Sequence, residues 1–212
     1  MKTSAPRLLL TLVLATLAAD QVTKYLALSR LTLAPPGQQE AAAQLARFVA
    51  PEPGAPRLAA RPHVVVPGYW NFRYVENPGA AWGLFGNLPE SVRRPFFHVV
   101  SLAALGFLFW MYRRLEPGQA LVRGALALLA GGALGNFVDR LLRGYVIDFI
   151  DWHWRNQPGM RWPTFNVADV AICVGVGLLF LDSLRVRRTA AAAMLPEVGA
   201  GAPALTERPL AE

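Results

Sequence analysis

The chain has 212 residues, is 54% hydrophobic and only 17% charged, and carries a formal net charge of +7. A soluble domain would be about a quarter charged, so this composition, with a mean hydropathy of +0.31, excludes an ordinary water-soluble globule and points to lipid as the solvent. Much of the positive charge flanks apolar runs, at Lys2 and Arg7, Arg93 and Arg94, Arg113 and Arg114, and Arg185, Arg187 and Arg188, which fits membrane anchoring and argues against a nucleic-acid partner.

Four apolar segments follow in chain order, at about 8–28, 95–112, 120–142 and 167–184, each near the ~20 residues that a helix needs to cross a bilayer. The first also has the make-up of a cleaved leader, with a basic start and small residues at Ala18-Ala19. However, the apolar pattern resumes at Val22, Tyr25, Leu26 and Leu28, and Asp20 and Lys24 stand at i,i+4, so the segment reads as one helix with a polar spot. Residues 31–63, rich in Ala, Pro and Gln, read as a poorly ordered insertion. From Val64 to Val75 the aromatics Trp70, Phe72 and Tyr74 alternate with Asn71, Arg73 and Val75, the period of a strand with one aromatic face. Cys173, the single cysteine, lies in an apolar run and is expected to be a small buried hydrophobe. The tail, 189–212, is Ala- and Pro-rich and expected to lack fixed structure. The fold class is therefore an all-α membrane protein, a four-helix bundle with a small β-sheet at the outer membrane surface, in a single domain over 1–188.

The flanking cations set the orientation. The N-terminus, the short second connection with Arg113, Arg114 and Arg123, and the C-terminal flank share the cytoplasmic side, because the crossings are even in number. The long first loop then lies outside.

On that topology the polar residues gather at one depth. Asp20 and Lys24 lie in the outer half of the first helix, and Asn77 follows in the outer loop. Asn136, Asp139 and Arg140 end the third helix, Asp148 comes just after it, and Asn166 and Asp169 open the fourth. Ionisable groups near hydrocarbon are costly and usually face a bundle interior or a wet cavity. Each has a structural reading as well. Asp20 with Lys24 makes an ion pair, Asn166 with Asp169 makes a helix cap, and Asp148 serves as a loop residue. Asp148 and Asp169 together add a further possibility, because two adjacent carboxylates share one proton. The ionised member can then activate water while the protonated one polarises a carbonyl, which is aspartyl peptidase chemistry. Asp169, at a helix N-terminus, is the more easily ionised.

The stretches Asp20-Gln21-Val22-Thr23-Lys24, Tyr74 to Gly83 (with Asn77-Pro78-Gly79-Ala80-Ala81), Gly131 to Arg140, Gly144 to Phe149, and Phe165 to Asp169 resemble those of lipoprotein signal peptidases, the type II signal peptidases of bacteria. The resemblance implies cleavage of prolipoproteins just before a diacylglyceryl-modified cysteine at the bacterial cytoplasmic (inner) membrane. It implies that Asp148 and Asp169 are the catalytic pair, with Asp20, Lys24, Asn77, Asn136, Asp139, Arg140 and Asn166 in support. The expected partners are that substrate and membrane lipid. A monomer is expected, and no metal or organic cofactor. The resemblance also implies a sheet lying on the membrane and a lid-like loop, placed around 152–162. It covers roughly 7–30 and 64–187. A transporter or proton-coupled channel would also carry intramembrane charge, but it would need polar groups across the whole membrane. An assembly factor would tolerate Asp→Asn at 148 or 169.

Overall fold

In hydrocarbon a backbone must satisfy its own N–H and C=O groups, which leaves an apolar spanning segment the α-helix. The computed structural model, which describes residues 4–33, 40–52, 58–80, 83–157 and 159–193, has four helices long and apolar enough to span, at Leu9–Leu31, Glu90–Arg113, Ala120–Arg143 and Val167–Arg185. They lie in α1 (Ser4–Leu31), α3 (Glu90–Arg113), α4 (Ala120–Arg143) and α5 (Val167–Ala193). α1 runs through Ala18-Ala19 without a break. α3 starts at Glu90, ahead of Pro95, where the sequence reading began it. The proline removes a single N–H from the second turn. The start of the helix is held by an Arg94–Glu90 pair at 3.0 Å and by Arg93 donating to the carbonyls of Gly86 and Leu88.

α4 is the central helix and packs on α1, α3 and α5. Its small residues allow the approach. A Cβ on Gly132 would come within 2.5 Å of the Ala168 carbonyl of α5, and one on Gly135 within 2.5 Å of the Asp20 carboxylate of α1. Small residues that let backbones approach are the usual means of packing helices in lipid. Gly144, with φ +77°, ends α4 in a left-handed turn and sends the chain straight into a strand.

That strand is β5 (Val146–Trp152). It pairs antiparallel with β4 (Trp70–Asn77), which pairs with β3 (His63–Val66), and Val75 sits opposite Asp148. The sheet caps the end of the bundle where α1 and α4 finish and α3 and α5 begin. Beneath it lies a core of Leu28, Leu31, Phe48, Tyr74, Ile147 and Phe149. β5 corrects the reading of Asp148 as a loop residue.

The insertion also differs from expectation. β1 (Thr32–Leu33) pairs with β2 (Ala59–Ala60), and α2 (Ala41–Val49) folds between them. Phe48 packs edge-on to Tyr25 at 5.5 Å and lies under the Arg143 guanidinium at 3.8 Å. Phe48 thus ties α2 to α1 and α4, while 34–39 and 53–57, like Ala81 and Trp82, lie outside the described residues. Of the tail, 189–193 continue α5, and 194–212 fall outside the described residues. Cys173 is exposed on α5 rather than buried.

Candidate active site

The site begins with a charge cluster that holds the helices together. Lys24 and Asp20, both fully buried, pair at 2.8 Å within α1, and Lys24 reaches Asp139 of α4 at 2.9 Å. Arg143, one turn beyond Asp139, pairs with its other oxygen. Two cations thus meet two carboxylates, which is the condition for burying charge without a large penalty. Backbone groups complete the set. Ala168 N–H donates to Asp20 at 2.9 Å, and Ile147 N–H donates to Asp139 at 3.0 Å. Gln21 donates to Asp139 at 3.0 Å and to the Gly135 carbonyl at 3.2 Å. The cluster therefore fixes where α5 and β5 begin relative to α1 and α4.

From there a chain of amides leads to the two aspartates. Lys24 donates to the Asn136 side-chain oxygen at 2.9 Å, which orients that amide so that its nitrogen donates to Asp169 at 2.8 Å. Asn166, fully buried, caps α5 with Asp169 as partner. Asp169 N–H donates to the Asn166 side-chain oxygen at 3.0 Å, and Asn166 N–H donates to the Asp169 carboxylate at 3.1 Å. The Asn166 amide nitrogen also donates to Asp148 at 2.7 Å and to the Asn136 oxygen at 3.2 Å. One asparagine thus contacts both aspartates. The capping role and a chemical role for Asp169 do not exclude one another.

Asp148 projects from β5 and is only 3% exposed. Its second oxygen accepts from Asn77 of β4 at 2.9 Å. Burial and, next, the negative charge of Asp169 push its carboxyl up to about 7, against the pull of the Asn77 and Asn166 amides. Asn77 also accepts from Gly79 N–H at 3.0 Å, and Arg140 donates to the Gly79 carbonyl at 3.1 Å while lying over Phe97 at 4.6 Å. Arg140 is within electrostatic reach of both Asp169 and Asp148. An open cleft of about 420 Å³ runs from Asp148 between Arg73 and Val75 of β4 and the segment Arg161–Thr164.

All nine residues singled out in the sequence therefore join one connected region at the sheet end of the bundle. Asp148, Asp169, Asn166, Asn136 and Asn77 form its centre. Asp20, Lys24 and Asp139 brace it from α1 and α4, and Arg140 holds the turn after β4. Sequence reasoning passed over Gln21 and Arg143. Arg143 carried a usable signal, since it stands at i,i+4 from Asp139.

The family model described as signal peptidase (SPase) II matches residues 12–185. A lipoprotein signal peptidase from Anaeromyxobacter sp. (strain Fw109-5) is 50% identical over 82% of this chain and 83% of its own length. Another, from Syntrophotalea carbinolica, is 48% identical over 57% of this chain and 72% of its own length. A bacterial membrane enzyme solved by the in meso method at 2.3 Å resolution superposes with a TM-score of 0.60 at 25% identity, covering 91% of this chain and 94% of that one. A family match that takes in all four spanning helices, the sheet and every residue of the polar network makes this chain a member of the signal peptidase II family, and so an aspartic peptidase of the membrane.

Proposed function

We propose that Asp148 and Asp169 are the catalytic pair, and that they remove the signal peptide from a bacterial prolipoprotein by cutting before its diacylglyceryl-modified cysteine. The observation that carries this reading is the shared Asn166, which ties the two carboxylates together while Asp148 is pushed to about 7 on the wall of a cleft. Asp148 then still carries the proton in about half of the molecules at neutral pH, where an ordinary carboxyl would have lost it. Asp169, which accepts from two N–H donors at a helix N-terminus, holds the negative charge.

In the proposed step, Asp169 takes a proton from a water whose oxygen bonds to the scissile carbonyl carbon, while Asp148 gives its proton to the carbonyl oxygen. The tetrahedral carbon then reforms its C=O as the C–N bond breaks, one of its hydroxyls returning a proton to Asp148 while Asp169 passes the proton it took to the leaving cysteine nitrogen. Asn77, Asn136 and Asn166 fix the carboxylates. Asp20, Lys24 and Asp139 fix Asn136, and Arg140 holds the turn that walls the cleft. The acyl chains of the substrate stay in the bilayer against the apolar helices, so the peptide enters sideways. The sheet end of the bundle faces outward from the cytoplasmic membrane, with both termini inside, and the protein works as a monomer.

The test is cleavage of a diacylglyceryl-modified prolipoprotein in detergent by wild type, Asp148→Asn and Asp169→Asn, followed by gel shift. Each variant should retain its melting transition and lose on the order of 1,000-fold in rate. Cutting by either folded variant at near wild-type rate would remove that aspartate from the mechanism.

A further inference from the structure

One residue of the insertion between β1 and β2 enters the charge cluster of the bundle. α2 is nine residues long, and the last four carbonyls of a helix lack partners within it and carry the negative end of its dipole. The Phe48 carbonyl is one of these, and it accepts from Arg143 Nε at 2.8 Å. The Phe48 ring lies 3.8 Å from the same guanidinium and meets Tyr25 of α1 edge-on at 5.5 Å. A single residue of α2 thus grips Arg143 with both a carbonyl and a ring.

Arg143 has little else to hold it. Its side chain is 1% exposed. Nη1 donates to Asp139, one turn back on α4, and Nη2 has no acceptor among the described residues. A buried guanidinium is costly unless its hydrogens are matched, so its place is set by two acceptors, Asp139 on one side and α2 on the other. Asp139 is in turn the point from which both aspartates of the proposed pair are held. Its other oxygen accepts from Ile147 N–H at 3.0 Å, which fixes β5 at the residue before Asp148. That oxygen also pairs with Lys24 at 2.9 Å, and Lys24 orients Asn136, which donates to Asp169 at 2.8 Å.

We infer that α2 is a positioning element of the active site. By holding Arg143 against Asp139 it sets the two aspartates at their working separation, without touching substrate. α2 supplies none of the residues that line the cleft from Asp148, so its contribution falls on the chemical step and not on substrate binding. Arg143 is a positioning residue in the same chain of contacts. That role for α2 rests on the peptidase reading.

The pairing of Leu33 with Ala59 brings the two ends of the insertion side by side. Residues 34–58 can therefore be replaced by an Asn-Gly turn, with the spanning helices and β3–β5 unaltered. Wild type, this shortened chain, Arg143→Gln and the combination are compared in cleavage of a diacylglyceryl-modified prolipoprotein in detergent. Each single change should lower kcat on the order of 10- to 100-fold and leave KM nearly unchanged. The combination should be no slower than the slower single change, because both remove the same link. Full kcat in the shortened chain, or losses that multiply in the combination, would overturn the inference. If the shortened chain shows no cooperative melting transition, Arg143→Lys decides in the full-length chain. Lysine keeps the charge beside Asp139 but lacks the planar fork that reaches two acceptors. A loss of kcat at unchanged KM then supports the role of α2, and a wild-type kcat overturns it. No cleavage by the wild type itself would remove the peptidase reading and this role with it, an outcome distinct from active enzyme indifferent to α2.

Discussion

Asp148 owes its properties to neighbours that no inspection of positions 147–149 alone would reveal. It is closed in by β4 and β5, yet its two oxygens accept only neutral amides, so burial and the charge of Asp169 outweigh the hydrogen bonds and raise its carboxyl to about 7. An acid is useful only while protonated. On its alkaline side the kcat/KM should therefore fall close to tenfold per unit above about pH 7, as the proton is lost. A profile flat through the alkaline range in reconstituted enzyme would rule out Asp148 as the acid. The linkage has the same sign for stability. The folded chain keeps a proton that the unfolded chain releases near 3.8, so stability should decline as pH rises from about 4 to about 7. At this scale the sequence was informative, because charged residues inside an apolar run stand out. Gln21 and Arg143 did not stand out. Gln21 carries no charge, and Arg143 stands just past the apolar run that ends near 142.

Elements were less legible where burial hides periodicity. β4 showed itself through alternating aromatics, whereas β5, Val-Ile-Asp-Phe-Ile-Asp-Trp, is buried almost throughout and has no clean two-residue repeat to read. α2, nine residues long, is too short to be stable alone, and its stability rests on a tertiary contact. Phe48, 8% exposed, is its one buried residue, clasped between Tyr25 and Arg143, and Arg143 donates to its carbonyl at 2.8 Å. Phe48→Ala should cost about 3 kcal/mol locally and raise the population of detached α2 on the order of 100-fold. Trypsin should then cut after Arg47 correspondingly faster, while the spanning helices stay intact. An unchanged cleavage rate would mean that contacts other than Phe48 hold the insertion in place.

At the scale of the whole molecule, the distribution of charge along the bundle axis separates two ends. The sheet end holds the balanced cluster of Asp20, Lys24, Asp139 and Arg143 and, beside it, both aspartates of the proposed pair. Arg7, Arg113, Arg114, Arg123 and Arg185 gather at the other, in short flanks of the spanning helices. Short basic flanks remain on the cytoplasmic side, and long loops weigh little, so the arginines of the segment between α1 and α3 do not compete. This asymmetry also argues against a conduit. The polar network stops within one end of the bundle, while the rest of α3 and α5 turns Val99, Phe107, Val176 and Phe180 outward to lipid. A fluorescent protein that matures only in the cytoplasm, fused after Glu212, should therefore be bright in cells. An export-dependent phosphatase inserted in the α2 segment should be active in the same cells. The reverse pair of results would turn the sheet toward the cytoplasm, where an exported prolipoprotein could not present its cleavage site, and the proposed substrate would have to be abandoned even if the two aspartates proved catalytic.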